Sequence, residues 1–181
     1  MKRVCLSLTL IGMIGLTGCK KNAPSGSAAT LPRTGNSDSA ATASNRSLQA
    51  AYDNGSRATE RVIQLLNNVK DDSSAQAAAG PLRSAAAELA SALKQMKLTV
   101  AALDAAGRKQ EIVQFHQKLA ESGQEPALNR LQPAVERVVN SPQGRKLRSE
   151  INAVLDALLE NVSVTEREHL QRWIQEKNLR Q

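Results

Sequence analysis

The spacing of apolar residues divides the chain into three parts. Val4 to Leu16 is a continuous run of Leu, Ile, Val, Met and small residues, about 13 long, preceded by Lys2 and Arg3. From Lys20 to about Asn45 the chain is rich in Ser, Ala, Gly, Thr, Asn and Pro, and Leu31 is its one large apolar residue. From about Arg46 the apolar residues recur at three-, four- and seven-residue intervals, the period of one helical face. Leu48, Tyr52, Ala58, Val62, Leu65, Leu66 and Val69 predict a first helix over about 47–70, with Asn54-Gly55 as its weak point. Asp71-Asp72-Ser73-Ser74 stops it and restarts the chain, and Ser73 with Gln76 fits a capping box.

A second helix is predicted to run to about Leu103, with Gly80-Pro81 kinking it or breaking its first turns. Beyond that point Leu82, Ala86, Leu89, Leu93, Met96, Val100 and Leu103 alternate spacings of four and three. That is a heptad seam, and its expected place is a helix–helix core. Arg108 to Ser122 predicts a third helix around Ile112, Phe115, His116 and Leu119, interrupted at Gly123 and Pro126. Helix resumes through Leu131, Val135 and Val138, with Pro133 expected to bend it. Asn140-Ser141-Pro142 stops that run, and Ser141-Pro142 suits an N-cap and first helical position. A fourth helix carries Leu147, Ile151, Val154, Leu155 and Leu158. Thr165-Glu166-Arg167-Glu168 reads as a capping box for a short last helix with Leu170, Trp173 and Ile174. Short connections between helices imply antiparallel neighbours. The expected fold is all-α: an up-and-down antiparallel bundle of about four helices after a disordered tether. Composition agrees, because Tyr52, Phe115 and Trp173 are the only aromatic residues and alanine and leucine dominate. Such a set favours helices packed through small side chains.

The first apolar run is too short for a spanning helix of about 20 residues and has the length of a secretory signal. It ends in Leu16-Thr17-Gly18-Cys19, which resembles a bacterial lipobox. The resemblance implies a signal peptide at 1–18, a diacylglyceryl group on the Cys19 thiol, cleavage before Cys19 and acylation of the new amino terminus. One acyl chain gives reversible membrane binding, whereas several hold firmly. Lys20 follows the cysteine, where an Asp in bacterial lipoproteins often signals inner-membrane retention. The expected place is therefore the outer membrane, facing the periplasm. Cys5 leaves with the signal and Cys19 carries lipid, so the mature chain has no thiol left for a disulfide. The domains expected are the signal at 1–18, the lipidated Cys19 with its tether at 19–45, and the bundle at 46–181. As a flexible coil the tether would span roughly 25–30 Å.

Charge adds little. The 181 residues carry 24 basic and 17 acidic side chains, a formal +7. The signs are interspersed, so this is a mildly basic surface and nucleic acid is not an expected partner. Arg145-Lys146-Leu147-Arg148 is the densest basic cluster and reads as a solvated first turn or a contact for head groups or a partner. The two histidines, His116 and His169, have no second ligand at metal spacing. Glu111 and His116 are five apart, off one helical face; Glu166 and His169 are three apart. No G-x-S-x-G, P-loop or G-x-G-x-x-G is present. No catalytic, cofactor or metal residue is expected.

Leu65 to about Leu159 resembles a group of small uncharacterised bacterial secreted proteins and lipoproteins. The carrying residues are Val69-Lys70-Asp71, Ser74-Ala75, Ala77-Ala78-Ala79, Leu82, Leu89, Leu93 and Met96, then Arg137 and Asn140-Ser141-Pro142. Those proteins have a helix, a K-D-x-x-S-A restart and two further long helices, so the resemblance implies a helical fold and no activity. The expected function is a lipid-anchored, non-enzymatic binding module, joined to the membrane through Cys19, whose partner is an envelope protein or the cell wall. A periplasmic inhibitor or immunity lipoprotein is one alternative. An enzyme acting on cell-wall glycan or lipid is the other, and it would need a cleft bringing Glu111, His116 or Glu121 together with basic partners.

Overall fold

The computed structural model describes residues 37–123 and 127–180. Cys19 and the segment 19–36 lie outside them, as does the apolar run at 4–16. Among the described residues there are six α-helices and one 3-10 turn, with no strand. The helices are α1 (Ser37–Asn67), α2 (Asp72–Ala105), α3 (Lys109–Glu121), α4 (Ala127–Val139), α5 (Arg148–Asn161) and α6 (Val164–Glu176). The 3-10 turn, Pro142–Arg145, joins α4 to α5.

Ion pairs and side-chain hydrogen bonds give the directions. Arg61 of α1 pairs with Glu88 of α2 at 2.6 Å across an antiparallel hairpin. Arg108 reaches Ser44 and the Phe115 ring meets Tyr52, so α3 runs beside α1 in the same sense. Arg130 pairs with Glu60 at 2.8 Å, and Arg137 donates to the Leu66 carbonyl at 2.6 Å, so α4 continues that path. Together α3 and α4 form one interrupted rung. Lys146 pairs with Asp72 and Arg83 with Glu150, which places the start of α5 beside the first turns of α2. The last helix, α6, turns back over α5: Arg167 donates to the Leu159 carbonyl at 2.9 Å, and the Trp173 indole N–H donates to Glu136 of α4 at 2.6 Å. This is the expected up-and-down bundle of four rungs, with α6 added.

The core follows the seam. Leu82, Ala86, Leu89, Leu93 and Met96 are buried against Val62, Leu66, Leu131, Val135, Ile151, Leu155 and others. Val100 and Leu103 leave this core and pack instead on a small second cluster of Leu48, Ile112 and Phe115. The bundle therefore has a main core and a satellite core under α3.

Several boundaries differ from those expected. The first helix begins at Ser37 rather than near 47, inside the stretch read as tether. Residues 37–45 hold three alanines, and a helix already held by packing lengthens at little cost through alanine. Ser44, moreover, is buried and held by Arg108. The second helix is not broken at Gly80-Pro81. A Cβ on the residue before proline opposes the α conformation; Gly80 has none. The carbonyl that proline leaves without its helical donor is that of Ala77, which lies, like Gly80 and Pro81, on the exposed face. Pro133 likewise sits exposed within α4.

The capping boxes shift by two residues each. Asp71 caps α2, accepting from the Ser74 N–H at 2.8 Å, while Ser74 accepts from the Asp71 N–H at 2.9 Å. The last helix is capped by Ser163, whose hydroxyl accepts from the Glu166 N–H at 3.3 Å while Glu166 accepts from the Ser163 N–H at 3.2 Å. Ser141-Pro142 opens the 3-10 turn, not a long helix, and α5 proper starts at Arg148. The second helix stops at Gly107, whose φ of +74° suits glycine. There the Gly107 N–H bonds Asp104 and the Arg108 N–H bonds Leu103, a Schellman pair.

Candidate functional site

A groove runs between α1 and the first turn of α4. Gly123, at φ +65°, ends α3, and α4 resumes at Ala127. The groove has a volume of about 460 Å³ and is lined by Tyr52, Asp53, Ser56, Arg57 and Glu60 of α1 with Ala127 and Arg130 of α4. Tyr52, Ser56 and Glu60 recur every four residues, with Asp53 and Arg57 one place on from the first two, so the five share one face.

The Tyr52 ring sits edge-on to Phe115, with centroids 6.2 Å apart, and anchors one end of the groove in the satellite core. Its polar walls are self-paired. Arg130 holds Glu60 at 2.8 Å. Arg57 donates to Asn54 at 2.8 Å and to the Asp53 carbonyl at 3.3 Å. Asp53 accepts from Gln49 at 2.8 Å. The result is a shallow amphipathic slot carrying two guanidinium groups and two carboxylates. Such a surface can pair with a segment that itself carries both signs, through charge-assisted hydrogen bonds.

Glu111, His116 and Glu121 are not among the groove's lining residues. Glu111 lies near Arg108 at 3.9 Å, and Glu121 is exposed. His116 is half-buried with its ring edge-on to Phe115, and burial holds its pKa below the ordinary histidine value. Its Nε2 has no hydrogen-bond partner among the described residues. His169 is exposed on α6, while the neighbouring Glu166 is engaged in the cap. Among the described residues no three His, Cys, Asp or Glu side chains gather as a metal site. Of the basic cluster, Arg145, Lys146 and Arg148 are exposed and Leu147 is fully buried; Lys146 is taken up by Asp72 at 2.5 Å. Asp71 is held below the usual carboxylate range, chiefly by the Ser74 backbone N–H and then by its hydroxyl. That shift belongs to the cap.

The groove escaped sequence reasoning because Glu60 and Arg130 are 70 positions apart and meet only once the register of α4 on α1 is known. One signal was available. Asp53, Arg57 and Glu60 put charges on α1 beside Tyr52, on the edge that neighbours its buried seam.

Compared with known proteins, the chain matches no protein-family model, no curated protein and no solved structure.

Proposed function

We propose that the chain is a lipid-anchored, non-enzymatic interaction module of the cell envelope, held in the outer membrane and facing the periplasm. The observation that carries this reading is Leu16-Thr17-Gly18-Cys19 at the end of a charged and then apolar leader of signal length. Acyl chains on Cys19 would fix the amino terminus to the bilayer, and the bundle would stand beyond it. Within the bundle, the slot between α1 and α4 is the surface assigned to a partner. Its paired guanidinium and carboxylate groups suit an envelope protein segment or a cell-wall peptide bearing both ammonium and carboxylate.

The test is Cys19→Ser with labelled fatty acid. The parent chain should take up label and lose its first 18 residues, while the variant should remain unlabelled and uncleaved. Label and processing in Cys19→Ser would end the reading. Capture of the mature protein from envelope extracts, with Arg130→Glu as the comparison, then identifies what the slot holds.

A further inference from the structure

The last turns of α2 carry an exposed stripe. At 1.5 Å per residue, α2 is about 51 Å long and α5 about 21 Å. Since Glu150, in the first turn of α5, pairs with Arg83, α5 reaches along α2 to about residue 94 and leaves its last three turns without it. From that point on Lys94, Lys97, Leu98, Ala101 and Ala105 are all exposed. Their spacing of three and four places them in one stripe. Leu98 is 55% exposed, one of three large apolar side chains that stand out among the described residues. Neither lysine has an acidic partner among the described residues. Beyond Glu88 the one acid on α2 is Asp104, already paired with Lys109 at 3.3 Å.

The stripe lies toward the end of the bundle at which the chain arrives. Ser44 of α1 is level with Arg108, just past the end of α2. The residues between Cys19 and Ser37 include Lys20, Lys21 and Arg33 and no acid. A single exposed leucine is ordinary on a protein surface. A leucine flanked by two unpaired lysines and by alanines, in a chain whose segment before Ser37 is basic and acid-free in sequence, has the composition of an interfacial membrane contact.

We propose that this stripe docks the bundle onto a membrane surface bearing anionic phospholipid, with Leu98 entering the interface and Lys94 and Lys97 on the phosphates. The proposal rests on the lipid-anchor reading, because a lipid on Cys19 would keep the stripe within reach of the bilayer and raise its effective concentration there. Each lysine at an anionic surface is worth roughly fivefold in partitioning, so removing both charges weakens docking roughly 25-fold.

The full chain, purified from bacterial membranes, is reconstituted into vesicles of phosphatidylethanolamine with phosphatidylglycerol and, separately, of phosphatidylcholine. Leu98→Trp reports position, with the buried Trp173 as a constant background. Its emission should move to shorter wavelength on phosphatidylglycerol vesicles and be quenched when the acyl chains are brominated. Val164→Trp, at a site 71% exposed on α6, should keep the emission of a solvent-exposed indole. Lys94→Gln combined with Lys97→Gln should lower the docking equilibrium constant by that factor. Unquenched Leu98→Trp on phosphatidylglycerol vesicles overturns the proposal. Equal quenching on phosphatidylcholine, or quenching indifferent to the two lysines, overturns the assignment to anionic lipid. Shielding that appears only after envelope proteins are added would make the occupant a protein and overturn it too. Fatty acid on Cys19 is measured on the same preparation. Its absence would overturn the anchor alone, since the unlipidated chain is then added to the same vesicles and the same quenching decides the stripe.

Discussion

Gly144→Ala should destabilise the bundle, and the loss can be worked from the backbone around it. Gly144 is buried in the 3-10 turn that carries the chain from α4 to α5. A Cβ there would lie 2.7 Å from the Val139 carbonyl oxygen and 2.8 Å from the Val139 Cα, and closer still to the Val138 carbonyl oxygen. Ordinary contacts lie near 3.5–4.0 Å, so a shift of about 0.7 Å or more is required. The opposing atoms are the backbone of the last turn of α4 and cannot rotate away. Gly144 cannot yield freely either: its N–H donates to Ser141 at 3.0 Å and its carbonyl accepts from Leu147 at 3.2 Å. Inserting a methyl group into such a site costs about 1–3 kcal/mol, out of a total of about 5–15 kcal/mol for a domain.

Urea unfolding followed by circular dichroism gives the difference from the midpoint, provided the slope is unchanged. Gly55→Ala is the matched comparison. Gly55 is also buried, within α1, but an added Cβ would meet nothing within 4 Å. Replacing a helical glycine there should stabilise by roughly 0.5–1 kcal/mol. Opposite signs are therefore expected from the same chemical change. If Gly144→Ala left the midpoint where it was, the close approach of the turn to α4 would be wrong.

The seam and the histidine give two further tests. Leu93, 3% exposed in the main core, should lose about 2–5 kcal/mol on truncation to alanine, whereas exposed Lys94→Ala should change thermal stability by less than about 0.5 kcal/mol; equal effects would place the seam in solvent. Burial lowers the His116 pKa in the folded state. The unfolded chain then binds the proton first as pH falls, so His116 contributes stability that is present above the ordinary value near 6.5 and is lost progressively below it. An NMR titration should place the folded pKa below 6.5, and His116→Gln should flatten the acid side of the stability curve; a folded pKa above 6.5 would refute the burial argument.

The heptad of α2 was legible because burial on one face imposes its period on the sequence. Leu82 to Met96 sit where that period puts them. The caps were less legible, since Asp71, Ser73 and Ser74 offer overlapping boxes. The choice falls to the last non-helical residue, Asp71 with φ of −146°, and the length of the hairpin connection sets that. Gly80-Pro81 misled because each residue alone disfavours helix while the pair, in this order, lacks the Cβ that would oppose it. The start of α1 was hidden by its low apolar content, and its docking through Ser44 depends on an arginine 64 positions away. The groove was illegible for the same reason: Glu60 and Arg130, on its two walls, are 70 positions apart.

The interruption between α3 and α4 coincides with a division of the core. Among the described residues the satellite core has Leu48, Ile112 and Phe115 buried, with Tyr52, Val100, Leu103 and Leu119 at its edges, whereas α4 and α5 share the large core with α1 and α2. Few buried contacts mean a low free energy of local opening. The third rung is thus two cooperative units of unequal stability, and hydrogen exchange should run ahead in the amides of α3. Opening α3 would release Phe115 from Tyr52, the groove residue on α1 that it braces, while α4 stays in place. The placing of Tyr52 in the slot is thereby linked to an equilibrium inside the fold, and a ligand seated against Tyr52 would slow exchange in a helix it never touches.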